Sequence, residues 1–297
     1  MKILTFDIGG TEIKYALCDE YFKLTEKKSV PTNPQDGGRK IIEKIISIVK
    51  SFNDIDRIGI STAGQVDSVK GKIVYATDNI PNYTGTEIKS IIQNSTGIPV
   101  AVENDVNSAA IGEHFFGVAK GVSNFICLTY GTGIGGAIYL NGRLFTGNSF
   151  SAGEVGHMVT HANGKKCTCG GCGCYEAYAS VSALVNSVNQ IFGEKMNGIE
   201  IFRNFDNSKM RNIIDEWIDE IVIGLKSLVY IFNPSLIVLG GGIMNEKYII
   251  DNINYSLQSQ LMMSFRNVKA EKALLGNDAG KLGAAYLASK LTCLSDV

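Results

Sequence analysis

The sequence predicts an α/β fold with mixed sheets, assembled from two related halves. Three observations carry that expectation. Strand-like and helical periodicities alternate along all 297 residues. Two segments, TFDIGGTEIKYAL and LTYGTGIGGAIYL, share the plan strand, glycine loop, strand. A fold of two halves would set such loops facing each other across a cleft. A chain of this length, 45% hydrophobic and 19% charged, also has material for about two domains with a sizeable core.

Taken in order, KILTFDI and EIKYALC read as two strands around the glycines of DIGGT. GRKIIEKIISIVKSF is helical, with Ile41, Ile42, Ile45, Ile46 and Val49 on one face. DRIGIST and KIVYA are strands, GTEIKSIIQNS a helix and GIPVAVEND a strand. A helix runs from Asn107, with Asn104 and Asp105 at its N-terminal edge. The second half opens with the strand NFICLTY, the loop GTGIGG, and AIYLNGRLF, a strand broken by an Asn-Gly hairpin turn. Helices follow near 180–192 and from about Met210 to Phe232. SLIVL is a buried strand, GGG a turn before another helix, and AGKLGAAYLASKL closes the chain as an amphipathic helix.

The formal net charge of −1 gives no sign of a nucleic-acid or membrane partner. No leader precedes the strand at Ile3–Phe6, and no stretch nears the ~20 apolar residues of a membrane span. A cytoplasmic location with reduced cysteines is therefore expected.

Three glycine loops raise the question of a nucleotide. Gly131, Gly133 and Gly136 satisfy G-x-G-x-x-G, but that dinucleotide fingerprint needs a helix after it, and here a strand follows. Glycine loops still let backbone N–H groups approach phosphate oxygens. Gly9, Gly10 and Thr11 offer this, with Lys14 close by, and Asp7 is a natural partner for Mg²⁺. Gly240 to Gly242 lie between strand and helix, a common place for a nucleotide. Each loop alone reads as a tight turn; three with Asp7 point to an ATP site.

VENDVN places Asp105 at a helix start. Asp is a good cap there. It also suits a general base for phosphoryl transfer to an alcohol, kept ionised by the helix N-terminus. Both roles are compatible.

Four cysteines, Cys167, Cys169, Cys172 and Cys174, fall within eight residues, and His157 stands ten residues upstream of the first. Three thiolates and one imidazole suit a structural Zn²⁺; a thiol cluster without metal is the alternative. His114 and His161 read as surface residues. Cys18, Cys127 and Cys293 stand alone and read as filler.

DIGGT (7–11), STAG (61–64), VENDVN (102–107), GTGIGG (131–136), AGEVGH (152–157), CTCGGCGCYE (167–176), LGGG (239–242) and the closing GNDAGKLGAA together resemble the ROK family (repressors, open reading frames, kinases). The likeness spans nearly the whole chain. It implies a two-domain actin-like ATPase (ribonuclease H-like) fold with mixed sheets and an interdomain cleft. Residues 1–116 plus 279–297 would form a smaller domain with sugar and phosphate contacts. Residues 117–278 would form a larger one with the zinc loop and nucleotide contacts. It further implies an ATP-dependent sugar 6-kinase with Asp105 as base and Asn104, Glu154, His157 and Glu176 on sugar hydroxyls. Gly9, Gly10, Thr11, Thr132 and Gly133 would line the phosphates, and Gly241 and Gly242 would lie near the adenosine. His157, Cys167, Cys169 and Cys174 would hold zinc, with Cys172 a bystander, although a swap with Cys174 stays open. A homodimer is suggested.

The segment STAGQVDSVKGKIVYATDNIPNYTGTEIK is similar to the matching region of some bacterial N-acetylmannosamine kinases, with Gly64 and Asn82 beside the sugar. Glucose, other hexoses and β-glucosides remain open as substrates. Repressors of the family carry a DNA-binding segment ahead of this region, and only six residues precede Asp7, so a kinase is expected. A non-catalytic sugar sensor is disfavoured by the intact DIGGT and Asp105.

Overall fold

The computed structural model describes residues 1–291; Cys293 lies outside them. The chain divides into two compact units. The first comprises Met1–Gly121, Thr146–Ala152 and the stretch from Asn277 on; the second comprises Val122–Phe145 and Gly153–Gly276.

In the first unit, β1 (Ile3–Ile8), β2 (Glu12–Cys18) and β3 (Leu24–Pro31) form an antiparallel meander. β4 (Arg57–Thr62) and β7 (Val100–Asn104) extend it in parallel, giving the order β3-β2-β1-β4-β7. A separate hairpin joins β5 (Gln65–Asp67) to β6 (Lys72–Tyr75). Helices α1 (Gly38–Lys50) and α2 (Ile88–Thr96) bury Ile41, Ile45 and Ile92 against Phe6, Ile8, Ile60 and Val102.

In the second unit, β8 (Phe125–Tyr130), β9 (Ile134–Leu140) and β10 (Arg143–Phe145) are again an antiparallel meander. β11 (Leu236–Gly240) and β12 (Lys269–Lys272) again extend it in parallel, in the order β10-β9-β8-β11-β12. The two five-stranded sheets thus share one topology, and the weak likeness of the two glycine hairpins marks a repeated unit. Around this sheet stand the short α4 (Glu176–Ala179), α5 (Val181–Phe192), α6 (Gly198–Arg203), the 25-residue α7 (Ser208–Phe232) and α8 (Lys247–Gln260). α7 buries Ile214, Trp217, Ile221 and Leu225 at helical spacing in a core with Leu128, Ile237 and Leu239. Trp217 Nε1 donates to the carbonyls of Ala179 and Ser180 at 3.0 Å, which ties α7 to the start of α5.

Two elements differ from expectation. α3 (Asp105–Phe116) begins two residues earlier, and its cap is Asn104, whose Oδ1 accepts from the N–H groups of Val106 and Asn107. Asp105 is the first helical residue, so its carboxyl is not the cap. The closing helix α9 (Ala279–Ser289) is not amphipathic but buried almost all round, from Ala279 to Ala285 without a break. Its small residues let backbones touch. A Cβ on Gly283 would lie inside the carbonyl of Ser108 in α3, and one on Gly59 of β4 inside that of Ala284. Gly283→Ala is therefore expected to destabilise the protein by ~1–3 kcal/mol, the usual cost of overpacking, read as a lower urea midpoint. An unchanged midpoint would mean that α9 and α3 separate freely.

Candidate active site and metal centre

The sequence-predicted residues fall in both units. Asp7, Gly9, Gly10, Thr11, Lys14, Gly64, Asn82, Asn104 and Asp105 lie in the first. Thr132, Gly133, Glu154, His157, Cys167, Cys169, Cys174, Glu176, Gly241 and Gly242 lie in the second.

In the first unit the site gathers at the C-terminal ends of the parallel strands. Asp7 is the next-to-last residue of β1, and its Oδ1 accepts from Ser61 Oγ of β4 at 2.8 Å. Lys14 is its register partner on β2 and so shares its face of the sheet. Gly9, Gly10 and Thr11 form the β1–β2 turn, held by Thr32, whose Oγ1 donates to the Gly9 carbonyl and whose N–H donates to that of Thr11. Asn104 reaches back through Nδ2 to the carbonyl of Gly64, at 2.9 Å, and to Oδ1 of Asp105, at 2.9 Å. The same Oδ1 accepts the Val106 N–H. Burial, with the nearby charge of Asp7 second, pushes the Asp105 carboxyl up to about 6, and its hydrogen bonds only partly offset this. Asn82 stands exposed on the loop between β6 and α2. Its neighbour Tyr83 is buried and hydrogen-bonded to Thr62 Oγ1 at 2.7 Å. Ile80 is a second buried anchor of that loop. α9 also opens onto this site: a Cβ on Gly280 would stand 2.9 Å from Ser61 Oγ and 3.2 Å from Asp7 Oδ1. Ser61, Tyr83 and Gly280 lie inside the STAG, IPNY and GNDAGKLGAA segments, but local pattern assigns them no role, because what matters is what they touch across the fold.

In the second unit Glu176 is the meeting point. Its Oε1 lies 3.2 Å from Cys167 Sγ, 3.3 Å from Thr168 Oγ1 and 3.7 Å from His157 Nδ1. Its Oε2 accepts the Ile134 N–H at 3.4 Å, beside the β8–β9 loop. Glycine leaves room for that approach: a Cβ on Gly133 would sit 2.5 Å from Oε2, so the carboxylate would have to move aside. Gly133→Ala should therefore displace Glu176 and raise the KM of whatever ligand Glu176 grips by ~10-fold or more, the price of misplacing a positioned group. An unchanged KM in a steady-state titration would remove the contact from the site. Thr132, Cys167, Thr168, Glu176, Ser182 and Asn186 border one cavity of about 330 Å³. Gly241 and Gly242 are not among its lining residues; they follow β11, where Gly241 packs on the Tyr130 carbonyl. Glu154 is exposed just before the 3₁₀ turn that carries His157.

Donor atoms of His157, Cys167, Cys169 and Cys174 all lie within 4.8 Å of one another. Cys169 and Cys174 sulfurs are 3.6 Å apart, as are Cys167 Sγ and His157 Nδ1. Three thiols and one imidazole at that spacing fit a tetrahedral zinc. Nδ1 faces the thiols, which leaves Nε2 for another partner. Cys172 is exposed and not in the group. The loop is anchored from below by Tyr175, between Cys174 and Glu176. Its ring is fully buried against α7, and its hydroxyl bonds Tyr130 and the Ile221 carbonyl, both at 2.8 Å.

His161 keeps part of its ring at the surface, but it is not without contacts. It is half-buried, stacked on Tyr178 with centroids 4.0 Å apart, and 3.6 Å from Glu220. Its backbone N–H donates to the Gly173 carbonyl, which ties this stretch of main chain to the cysteine loop. His114 is half-buried too, edge-on to Phe115. Cys18 and Cys127 are core residues, and burial pushes the Cys18 thiol up to about 12, which makes it inert.

The sequence profile of the ROK family matches residues 3–291. The chain belongs to the ROK family. A β-glucoside kinase of Listeria monocytogenes is 33% identical to this ROK chain over 293 residues, covering 96% of it and 97% of the relative. Among solved structures, a ROK family glucokinase of Streptomyces griseus in complex with glucose and AMPPNP is 31% identical. It covers 98% of this chain and 100% of its own, with a TM-score of 0.85. A Listeria monocytogenes protein provisionally named an N-acetylmannosamine kinase is also 31% identical, covers 98% of this chain and 99% of its own, and has a TM-score of 0.89. The fold is that of the two-domain actin-like ROK proteins. No helix among the described residues is long and apolar enough to cross a membrane.

Proposed function

We propose that this ROK chain is an ATP-dependent kinase acting on the 6-hydroxyl of a hexose. The observation that carries the reading is the setting of Asp105. Its carboxyl stands at a helix start, one oxygen is tied by Asn104 and the Val106 N–H, and burial lifts it to about 6. That is a base ready for an alcohol at neutral pH. Its other oxygen takes the hydroxyl proton as the sugar oxygen bonds to the γ-phosphorus. The bond from that phosphorus to the β–γ bridging oxygen breaks, and ADP leaves with the electron pair. Asn104, Gly64, Asn82, Glu154, His157 and Glu176 receive the sugar, since carboxylates, amides and imidazole outcompete water for hydroxyls. Gly9, Gly10, Thr11, Lys14, Thr132 and Gly133 receive the phosphates, and Gly241 and Gly242 the adenosine. Mg²⁺, held by Asp7, would neutralise phosphate charge. Zn²⁺, held by His157, Cys167, Cys169 and Cys174, would supply rigidity to the loop that presents Glu176. The working form is proposed to be a cytoplasmic homodimer, on the family likeness.

Among hexoses the proposal favours N-acetylmannosamine. The IPNYTG segment supports it, because buried Ile80 and Tyr83 hold a loop whose exposed Asp78, Asn79 and Asn82 could bond an acetamido group. Glucose and β-glucosides are the second reading, supported by the names of the relatives. A coupled ADP-release assay across hexoses and N-acetylhexosamines decides. The expected result is a kcat/KM for N-acetylmannosamine at least ~10-fold above glucose, the scale of one net hydrogen bond to the acetamido group. The reverse order moves the substrate to glucose, and no ADP with any sugar sinks the kinase reading.

A further inference from the structure

The buried carboxylate of Glu103 has no part in the chemistry above, yet it is only 3% exposed. A buried carboxylate costs several kcal/mol unless its oxygens are well bonded. Here Oε1 accepts the Asn104 N–H at 2.9 Å and Asn107 Nδ2 at 3.1 Å, and the Ser68 hydroxyl donates to the same carboxyl. Burial raises its pKa while these three donors pull it back. Each donor belongs to a different piece of the sugar side of the first unit. Asn104 is the cap that also bonds Gly64 and Asp105. Asn107 lies in the first turn of α3 and is itself 5% exposed. Ser68 follows β5, on the segment that starts from Gly64.

We infer that Glu103 is a positioning residue that holds Asn104 and the Gly64–Ser68 segment in register for the sugar, without touching it. The inference rests on the proposed sugar site. Without the carboxylate, the Asn104 backbone and Asn107 lose a shared acceptor, and Ser68 loses its anchor to β7. Asn104 Nδ2 then no longer has a fixed place from which to serve both Gly64 and the hexose. The nucleotide loops, at Gly9–Thr11 and in the second unit, make none of these bonds.

The test uses the full-length protein with N-acetylmannosamine and glucose as probes. Calorimetry without nucleotide gives sugar Kd, and the ADP-release assay gives KM for sugar and ATP. Glu103→Ala should raise sugar Kd and KM by ~10-fold or more, with ATP KM within ~2-fold, as expected when two or more bonds to a buried acceptor are lost. Glu103→Gln keeps Oε1 as acceptor, and its amide can donate to Ser68, so it should restore sugar affinity to within ~3-fold of wild type. Ser68→Ala, a smaller change that keeps the buried carboxylate and its two other bonds, should weaken the sugar by ~3-fold or more with ATP unaffected. A lower melting temperature with unchanged sugar Kd and KM would make Glu103 merely structural and overturn the inference, as would an equal loss for sugar and ATP. A chain whose sugar Kd depends on Glu103 but which releases no ADP would refute the kinase reading and leave the positioning role standing.

Discussion

Asp105→Asn is expected to turn over hexose at no more than ~1% of the wild-type kcat, the lower end of the loss when a general base is removed. Sugar binding by calorimetry should persist, because an asparagine Oδ1 still accepts from Val106 N–H and Asn104 Nδ2, the two bonds that seat the side chain. Turnover within tenfold of wild type would take Asp105 out of the base role. The pH profile supplies a second check. A base must be ionised, and burial sets this carboxyl at about 6 in the free protein. Therefore kcat/KM should be level above that pH and fall about tenfold per unit below it. A carboxylate at its ordinary value would keep the profile level down to about pH 4. The same shift has a sign for stability. The folded pKa lies above the unfolded value of 3.8, so the stabilising contribution is present below the unfolded value and is lost as pH rises through about 6. At neutral pH the ionised Asp105 costs stability, and Asp105→Asn should melt higher than wild type above pH 7, an exchange common at active sites.

Removing the metal is expected to have the second large effect. Elemental analysis should find one zinc per chain, and Cys167→Ser should lose it, with sugar KM rising ~10-fold or more while ATP KM changes far less. The expected scale is that for disturbing the support of a metal-site ligand. Cys167 Sγ is within 3.2 Å of Glu176 and 3.6 Å of His157, so the thiolate that would bind metal also lies against two side chains proposed to grip the sugar. Burial pushes the Cys174 thiol up to about 12; a cation beside it is what would make it a ligand. The loop is otherwise short of regular structure, with Gly170 and Gly173 in left-handed conformations, so an ion has much to immobilise. A metal-free preparation with full activity, or equal weakening of sugar and ATP, would contradict this assignment.

What the sequence by itself determined is what local periodicity and spacing encode. Strands β1, β2, β4, β8 and β11 and the buried face of α1 were legible because alternation and the 3.6-residue period are local properties. The cysteine spacing and Asp105 at a helix start were legible for the same reason, since a ligand pattern or a helix boundary lies within a few residues. The edge strand β3, which has no fully buried residue and touches the core only through Leu24 and Val30, was not legible. Nor was the burial of α9, whose alanines and glycines look neutral until β4 and α3 press against them. Only the tertiary structure decided that Asn104 caps α3, that Asp105 feels Asp7, that the Glu176 carboxylate lies against Gly133, and that Glu103 is buried with its bonds made. The contacts of Asp105 with Asp7, of Gly133 with Glu176 and of His161 with Glu220 join residues far apart in the chain, and no short window of sequence contains both partners. The bonds of Asn104 and Glu103 to Asn107 are local, but which side chain takes them is settled only when the strand and helix are packed. A close approach carries no signature in either segment alone, because its energy exists only once the chain has brought the two together.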